Sequence, residues 1–371
     1  MPLPESRITP DIDFEEPEGL DKNDPSWGDY PLEEVLIRND NRTIYDIIRR
    51  IRDRRYVMDP DFQRDFIWPE DKQSKLIESV VMRIPLPVIY LAEDDEGRMV
   101  VVDGLQRLST FDRFVNGKLK LQLSDRPELN GKTFTELSPK LQNRIEDCNL
   151  ICYVIDSKVP ERARLDIFER VNGGIPLSRQ QMRNSLFMGP ATRFLKEAAR
   201  TDLFLQATGS SLNTKTMRDR EFVNRFCAFR ILDVDSYRGN EMDEFLAQSL
   251  QIMNRMSANE IQQLAGDLQT TLSNNFVLFE RHAFRKYAPG QSRRSVLNAS
   301  LWDVMSTGLS YYTETRVKAA AESLRTAYYE LLSDEEFNTA ITYGTNDRKR
   351  VSFRFERATH MLEEILGAHR D

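Results

Sequence analysis

Four residues able to handle a phosphate stand within a five-residue run: Asp103, Gly104, Gln106 and Arg107, with Leu105 between them. A glycine lets a ligand come close to the backbone. A helix N-terminus offers free N–H groups and a partial positive charge. An arginine fork meets a phosphate at two points. An aspartate can hold a metal ion or orient a water. A glutamine amide suits a base, sugar or phosphate oxygen. The same residues also suit a plain turn with a helix cap, Arg107 being paired with a surface carboxylate. Taken alone, the run leaves both readings open.

The flanking pattern supplies elements to position them. Met99-Val100-Val101-Val102 reads as a strand that delivers the chain to Asp103-Gly104. Helical spacing restarts over Leu108 to Phe114. Pro87 to Leu91 reads as an earlier strand, and Asp94-Asp95-Glu96-Gly97 as the turn of a hairpin. Ile44, Ile47, Ile48 and Ile51 recur at helical spacing, with Thr43 or Asn41 as cap. Pro69-Glu70-Asp71 opens another helix, with Leu76, Ile77, Val80 and Val81 as its apolar face. Leu119 to Leu123 and Leu150 to Ile155 are expected strands, with a short polar helix around Pro139 to Asp147 between them.

After Asp156 the apolar residues recur almost throughout at three and four, so the spacing predicts helices to the end of the chain. The fold class expected is α+β in front and all-α behind, as an acidic leader over 1–30, a mixed domain over 31–158 and a helical domain over 159–371. Residues 1–40 hold 12 acidic and 3 basic residues. The other 331 residues hold 47 acidic and 49 basic, so the body is near neutral and the acidity sits in the leader. The leader is expected to be mostly disordered or loosely docked. Its charge makes it a candidate occupant of the phosphate pocket around Asp103 to Arg107.

Other candidates lie further out. Gln63 and Arg64 sit between Pro60 and Pro69, where Arg64 would add a second cation to a phosphate pocket or pair with Asp61 or Asp65. Asn172-Gly173-Gly174 follows a predicted helix and also reads as a plain C-cap. Arg183 could point back towards the pocket. Basic runs at Lys215 to Arg225 and at Arg348 to Arg357, the second interleaved with Phe353 and Phe355, suit nucleic acid or a solvated helix face. Cys148 and Cys152 read as buried thiols.

Several classes are excluded by motif. There is no Gly-x-x-x-x-Gly-Lys-Ser/Thr loop, no His-Glu-x-x-His and no Cys-x-x-Cys. The histidines, His282, His360 and His369, lie in no nuclease-like context. No apolar run approaches the ~18–20 residues of a membrane span, and Met1 to Glu5 has no signal-peptide pattern. A cytoplasmic protein is expected.

The order of Phe62-Gln63-Arg64-Asp65-Phe66-Ile67-Trp68, Ile84-Pro85-Leu86-Pro87, Asp103 to Arg107, Ile167 to Ser178 and Met182-Arg183-Asn184 resembles the GmrSD-type N-terminal domain family over roughly residues 35–235. That family has an Asp-Gly-Gln-Gln-Arg signature and a ParB/sulfiredoxin-like fold. The resemblance implies a nucleoside-triphosphate site, with GTP, ATP or CTP and Mg²⁺. It also implies a role as sensor in phage defence or restriction, with modified or foreign DNA as target. The matching positions are Asp103, Gly104, Gln106 and Arg107, then Gln63 and Arg64, then Asn172. Asp103 would hold the metal and, with Gln106 and Arg107, serve hydrolysis. Gln63, Arg64, Gly104, Arg107 and Asn172 would bind the nucleotide. Leu105 departs from the signature, where a glutamine is usual. Many relatives carry a nuclease domain of HNH type. Here a separate effector or nuclease chain is the expected partner, with DNA and a homo-oligomer possible. The rival reading is a regulatory or scaffolding module that binds nucleotide or DNA without hydrolysis.

Overall fold

The computed structural model describes residues 14–20, 36–58, 68–94, 96–171, 177–232, 234–238, 242–287 and 294–368. The chain divides into two compact units, Ser26–Met188 and a second made of Gly189–Asp371 with Met1–Pro25.

The first unit runs β1 (Ile37–Asn39), β2 (Arg42–Thr43), α1 (Ile44–Arg52), β3 (Tyr56–Val57), α2 (Glu70–Val81), β4 (Ile89–Glu93), β5 (Met99–Asp103), α3 (Leu105–Val115), α4 (Pro139–Glu146), β6 (Asn149–Leu150), β7 (Cys152–Ile155), α5 (Glu161–Val171) and α6 (Arg179–Leu186). Five strands form a mixed sheet in the order β1-β7-β4-β5-β3, and β2 pairs with β6. The β4–β5 hairpin is antiparallel, with an irregularity between Tyr90 and Leu91, while β4–β7 and β3–β5 are parallel. Side chains alternate across a strand. Ile89, Leu91, Val101, Cys152 and Val154 therefore share one face, packed with Ile44, Ile47 and Ile48 of α1, Ile77 and Val80 of α2, and Leu108, Phe111 and Phe114 of α3. Thr43 caps α1 by accepting from the Asp46 N–H at 3.2 Å.

Ala92, Val100 and Ile155, of opposite parity, are buried too, and α5 and α6 both contact β5. A sheet buried on both faces needs this second layer. The two helices thus belong with the sheet, in the compact unit that runs to Met188.

The strand expected over Leu119 to Leu123 does not form. Leu119, Leu121 and Leu123 are each 1% exposed, so the alternation is kept. The backbone bonds instead to a local loop: Leu121 N–H donates to Lys132 O, Leu121 O accepts from Gly131 N–H, and Leu123 N–H donates to the Asn130 side chain. The pattern predicts burial correctly here, but no neighbouring strand completes a ladder.

The second unit is helical: α7 (Pro190–Ala198), α8 (Asp202–Thr208), α9 (Arg218–Ile231), α10 (Met242–Arg255), α11 (Ala258–Phe279), α12 (Ala299–Leu309), α13 (Glu314–Ala319), α14 (Ala321–Ser333), α15 (Glu335–Ala340) and α16 (Arg348–Leu366). Trp302 on α12 is fully buried among Phe204, Phe222 and Phe284, at centroid distances of 5.8, 5.3 and 4.5 Å. Beside it, Asp303 accepts from Arg225 at 2.8 and 2.6 Å and from Arg354 at 3.0 Å. Gly308 lets α16 come close, since a Cβ there would stand 2.5 Å from the Leu362 side chain. Leader residues 14–20 pack into this unit. Among the described residues, no helix is long and apolar enough to cross a membrane.

Candidate functional site

Strand β5 ends at Asp103, and α3 begins at Leu105, so a single residue makes the junction. That residue, Gly104, has φ +102° and acts as the N-cap. A Cβ would lie 3.2 Å from Ile89 and 3.3 Å from Arg107 Nη2. The left-handed backbone and the close neighbours both call for glycine. No side chain caps the helix.

Arg107 lies one turn into α3 and is 8% exposed. Its Nη2 donates to Asp103 Oδ2 at 2.8 Å and to Val88 O at 3.1 Å, and its Nη1 donates to Pro87 O. Burial pulls its pKa down, and the Asp103 carboxylate opposes that. The guanidinium thus ties the start of α3 to the segment entering β4. A phosphate would gain these N–H groups only by displacing one of the three oxygens. Asp103 keeps 36% of its side chain exposed. Its register partner on β4 is Tyr90, which packs against Tyr153 of β7 at 5.7 Å between centroids.

Gln106 is directed elsewhere. Its Oε1 accepts from the Trp68 N–H at 3.0 Å, and it lines a cavity of about 190 Å³ with Ile51, Met58, Gln73, Ser109 and Arg113. Ser109 Oγ is buried there without a partner. Leu105 packs against the hydrophobic cluster. An apolar side chain at that position therefore serves the core, and a glutamine's polar atoms are not missed there. The structure brings Asp103, Gly104 and Arg107 together and sends Gln106 to a neighbouring face of the helix. Gln63, Arg64 and Asn172 lie outside the described residues.

Arg183 of α6 is fully buried, with its Nε and Nη2 both donating to Gln180 Oε1, and Gln180 in turn donates to Asn184. Sequence reasoning singled out Arg183 and Asn184 but missed Gln180, the residue that joins them into one buried polar row.

The basic runs fare differently from a cationic stripe. Arg218 pairs with Glu221, Arg225 and Arg354 are buried on Asp303, Arg350 donates to Tyr343 O, and Arg357 pairs with Asp334. Phe355 is turned inward, at 8% exposure. All three cysteines are free thiols. Burial raises the pKa of each, that of Cys152 to about 11, which suits an unreactive state. Among the described residues, no group of three or more His, Cys, Asp or Glu could hold a metal ion. Asp103 could still supply one carboxylate to Mg²⁺, an ion usually bound through one or two carboxylates with waters and substrate phosphates.

Comparison with curated proteins found no match. Residues 44–188 match the family model described as GmrSD restriction endonuclease, N-terminal domain. The match spans α1 to α6, and so takes in the β5–α3 junction and the helical layer on the far face of the sheet. Residues 44–188 are thus similar to the N-terminal domain of GmrSD restriction endonucleases.

Proposed function

We propose that this chain is the nucleotide-sensing component of a restriction-type system directed at DNA, and that the sensor site is the β5–α3 junction. The observation that carries the reading is a glycine at φ +102° joining a strand that ends in aspartate to an uncapped helix of 11 residues. Such a junction aims backbone N–H groups and the positive end of the helix dipole at one point. Phosphate oxygens would sit on the N–H groups that follow Gly104. Asp103 would hold Mg²⁺, directly or through water. The ion would offset phosphate charge. Arg107, already bonded to Asp103, would fix that carboxylate and join the phosphate contact as the triphosphate arrives. Gln63, Arg64 and Asn172 would complete the nucleotide contacts. The helical unit would pass the nucleotide state to DNA or to a nuclease carried on another domain or chain.

The second reading is a module that binds nucleotide without turning it over. It is favoured by the engagement of both Nη atoms of Arg107 with protein oxygens, which leaves less charge to stabilise a transition state.

The test is binding and hydrolysis of GTP, ATP and CTP with Mg²⁺, comparing the wild type with Asp103→Asn. Turnover that falls at least about 100-fold in the variant, with folding intact, supports the first reading. Binding without turnover in the wild type supports the second. Absence of binding by the folded chain overturns both.

A further inference from the structure

Residues 14–20 do not lie loosely on the helical unit. They are bonded into it at successive points. Glu15 N–H donates to Ser211 O at 2.8 Å, Glu18 N–H donates to Leu297 O at 2.7 Å, and Ala299 N–H donates to Glu18 O at 2.8 Å. Glu18 and Asn298 form a parallel bridge, so the segment adds to Leu297–Asn298 as a short strand would. Thr345 Oγ1 donates to Gly19 O at 2.6 Å. Pro17 and Gly19 are buried. Gly19 has φ +77°, and a Cβ there would lie 3.2 Å from Ile341 O and 3.3 Å from Ser300 Oγ.

The side chains carry the specificity. Glu15 accepts from Arg285 at 2.5 Å, from Arg294 at 2.8 Å and from the Leu297 N–H at 3.3 Å. Glu18 accepts from Lys286 at 2.9 Å and from Asn298 Nδ2 at 3.4 Å. Arg285 is fully buried and otherwise donates to neutral oxygens, Thr208 O, Ser211 Oγ and Ser295 O. Of the groups that bond it, Glu15 is the carboxylate. A buried guanidinium held in part by a residue 270 positions away in sequence is a built receptor for a negative charge.

We propose that the helical unit contains a binding site for an extended acidic segment with carboxylates three residues apart, and that the chain's own residues 14–20 are its resident ligand. The site reads the backbone through Ser211, Leu297 and Ala299, the first carboxylate through Arg285 and Arg294, and the second through Lys286 and Asn298. Its occupation has a topological consequence. The leader and the helices form one unit, with residues 26–188 between them in sequence. While the segment is bound, the sheet unit is joined to the helical unit by two chain connections, and on release by one. This inference does not depend on the nucleotide reading.

The test uses the full chain with a specific protease site introduced between residues 22 and 30, and a labelled peptide of residues 11–20 as probe. After cleavage, the wild-type N-terminal fragment should stay with the body through gel filtration at low salt and exchange with the labelled peptide. Glu15→Gln should weaken retention about tenfold or more, because it removes charge-assisted bonds to a buried cation. Loss of the wild-type fragment on cleavage, or equal retention of the variant, overturns the proposal. A second measurement covers the case in which the cleaved body does not hold together. In the uncut Glu15→Gln, Glu18→Gln double variant, the amides of Glu18 and Ala299 should exchange with deuterium at least about tenfold faster than in the wild type. Unchanged protection there overturns it equally.

Discussion

Arg107 holds three protein oxygens, two of them backbone carbonyls of Pro87 and Val88 that have no sequence signature. This separates two substitutions that the motif alone would treat alike. Arg107→Ala strands buried acceptors and the Asp103 carboxylate, and should cost about 3 kcal/mol of stability, read as a lowered denaturant midpoint. Asp103→Asn keeps an acceptor for Arg107 and should cost about 1 kcal/mol or less while abolishing any metal-dependent activity. A loss of nucleotide binding in Arg107→Ala is therefore informative only beside a melting curve. Asp46 gives a second residue-scale prediction. Burial would raise its pKa, but hydrogen bonds from Arg49, Arg50 and Arg42 prevail and bring it down to about 2. Because the folded value lies below the unfolded one, its stabilisation is present above about pH 4 and is lost as the pH falls through about 2. Asp46→Asn should destabilise by about 1 kcal/mol at pH 7 after allowance for solvent screening, and should match the wild type near pH 2. A constant difference across that range would mean that packing, not charge, is responsible.

The junction between β5 and α3 was legible because all of its parts are local: a β-branched run, a strand breaker and a return to helical spacing. Gly104→Ala tests whether that local geometry decides the element. The added Cβ meets both an unfavourable φ and the Ile89 and Arg107 side chains, so the variant should lose about 1–3 kcal/mol and shift the start of α3. An unchanged melting temperature would show that the helix start relaxes without cost. What was not legible is equally physical. Strands β1, β2 and β3 have three, two and two residues, too few for a period to show. They exist because β7, β6 and β5 offer partners. Helices α13 and α14 read as one stretch in sequence, but the chain breaks at Ala320, where no Gly or Pro marks the place. The assignment of α5 and α6 to the sheet unit is set by the apolar second face of the sheet, a demand that no helix states by itself.

At the scale of the molecule, the charge imbalance between leader and body was visible in composition, yet its structural counterpart was not, since Glu15 and Arg285 lie too far apart in sequence for any local pattern to connect them. The same holds for the centre of the helical unit. Arg225, Asp303 and Arg354 come from three helices and are at most 1% exposed, leaving two guanidinium groups on one carboxylate. Arg354 Nε is buried without a partner, and the rest of its charge is met by Thr345 O. Burial pulls the Arg354 pKa down, with Asp303 opposing it and Arg225 adding to it. Removing the carboxylate strands both cations, so Asp303→Ala should cost about 3–5 kcal/mol, whereas replacing all three residues with apolar ones of similar volume should be neutral or stabilising. The protein offers its own reporter, because Trp302 stands next to Asp303 in the core while Trp68 belongs to the sheet unit. With Trp27 and Trp68 replaced by Phe, fluorescence follows the helical unit alone. With Trp27 and Trp302 replaced, it follows the sheet unit. If the two units unfold separately, Asp303→Ala should move the Trp302 transition to lower denaturant and leave the Trp68 transition in place. Equal movement of both would mean that they unfold as one cooperative body.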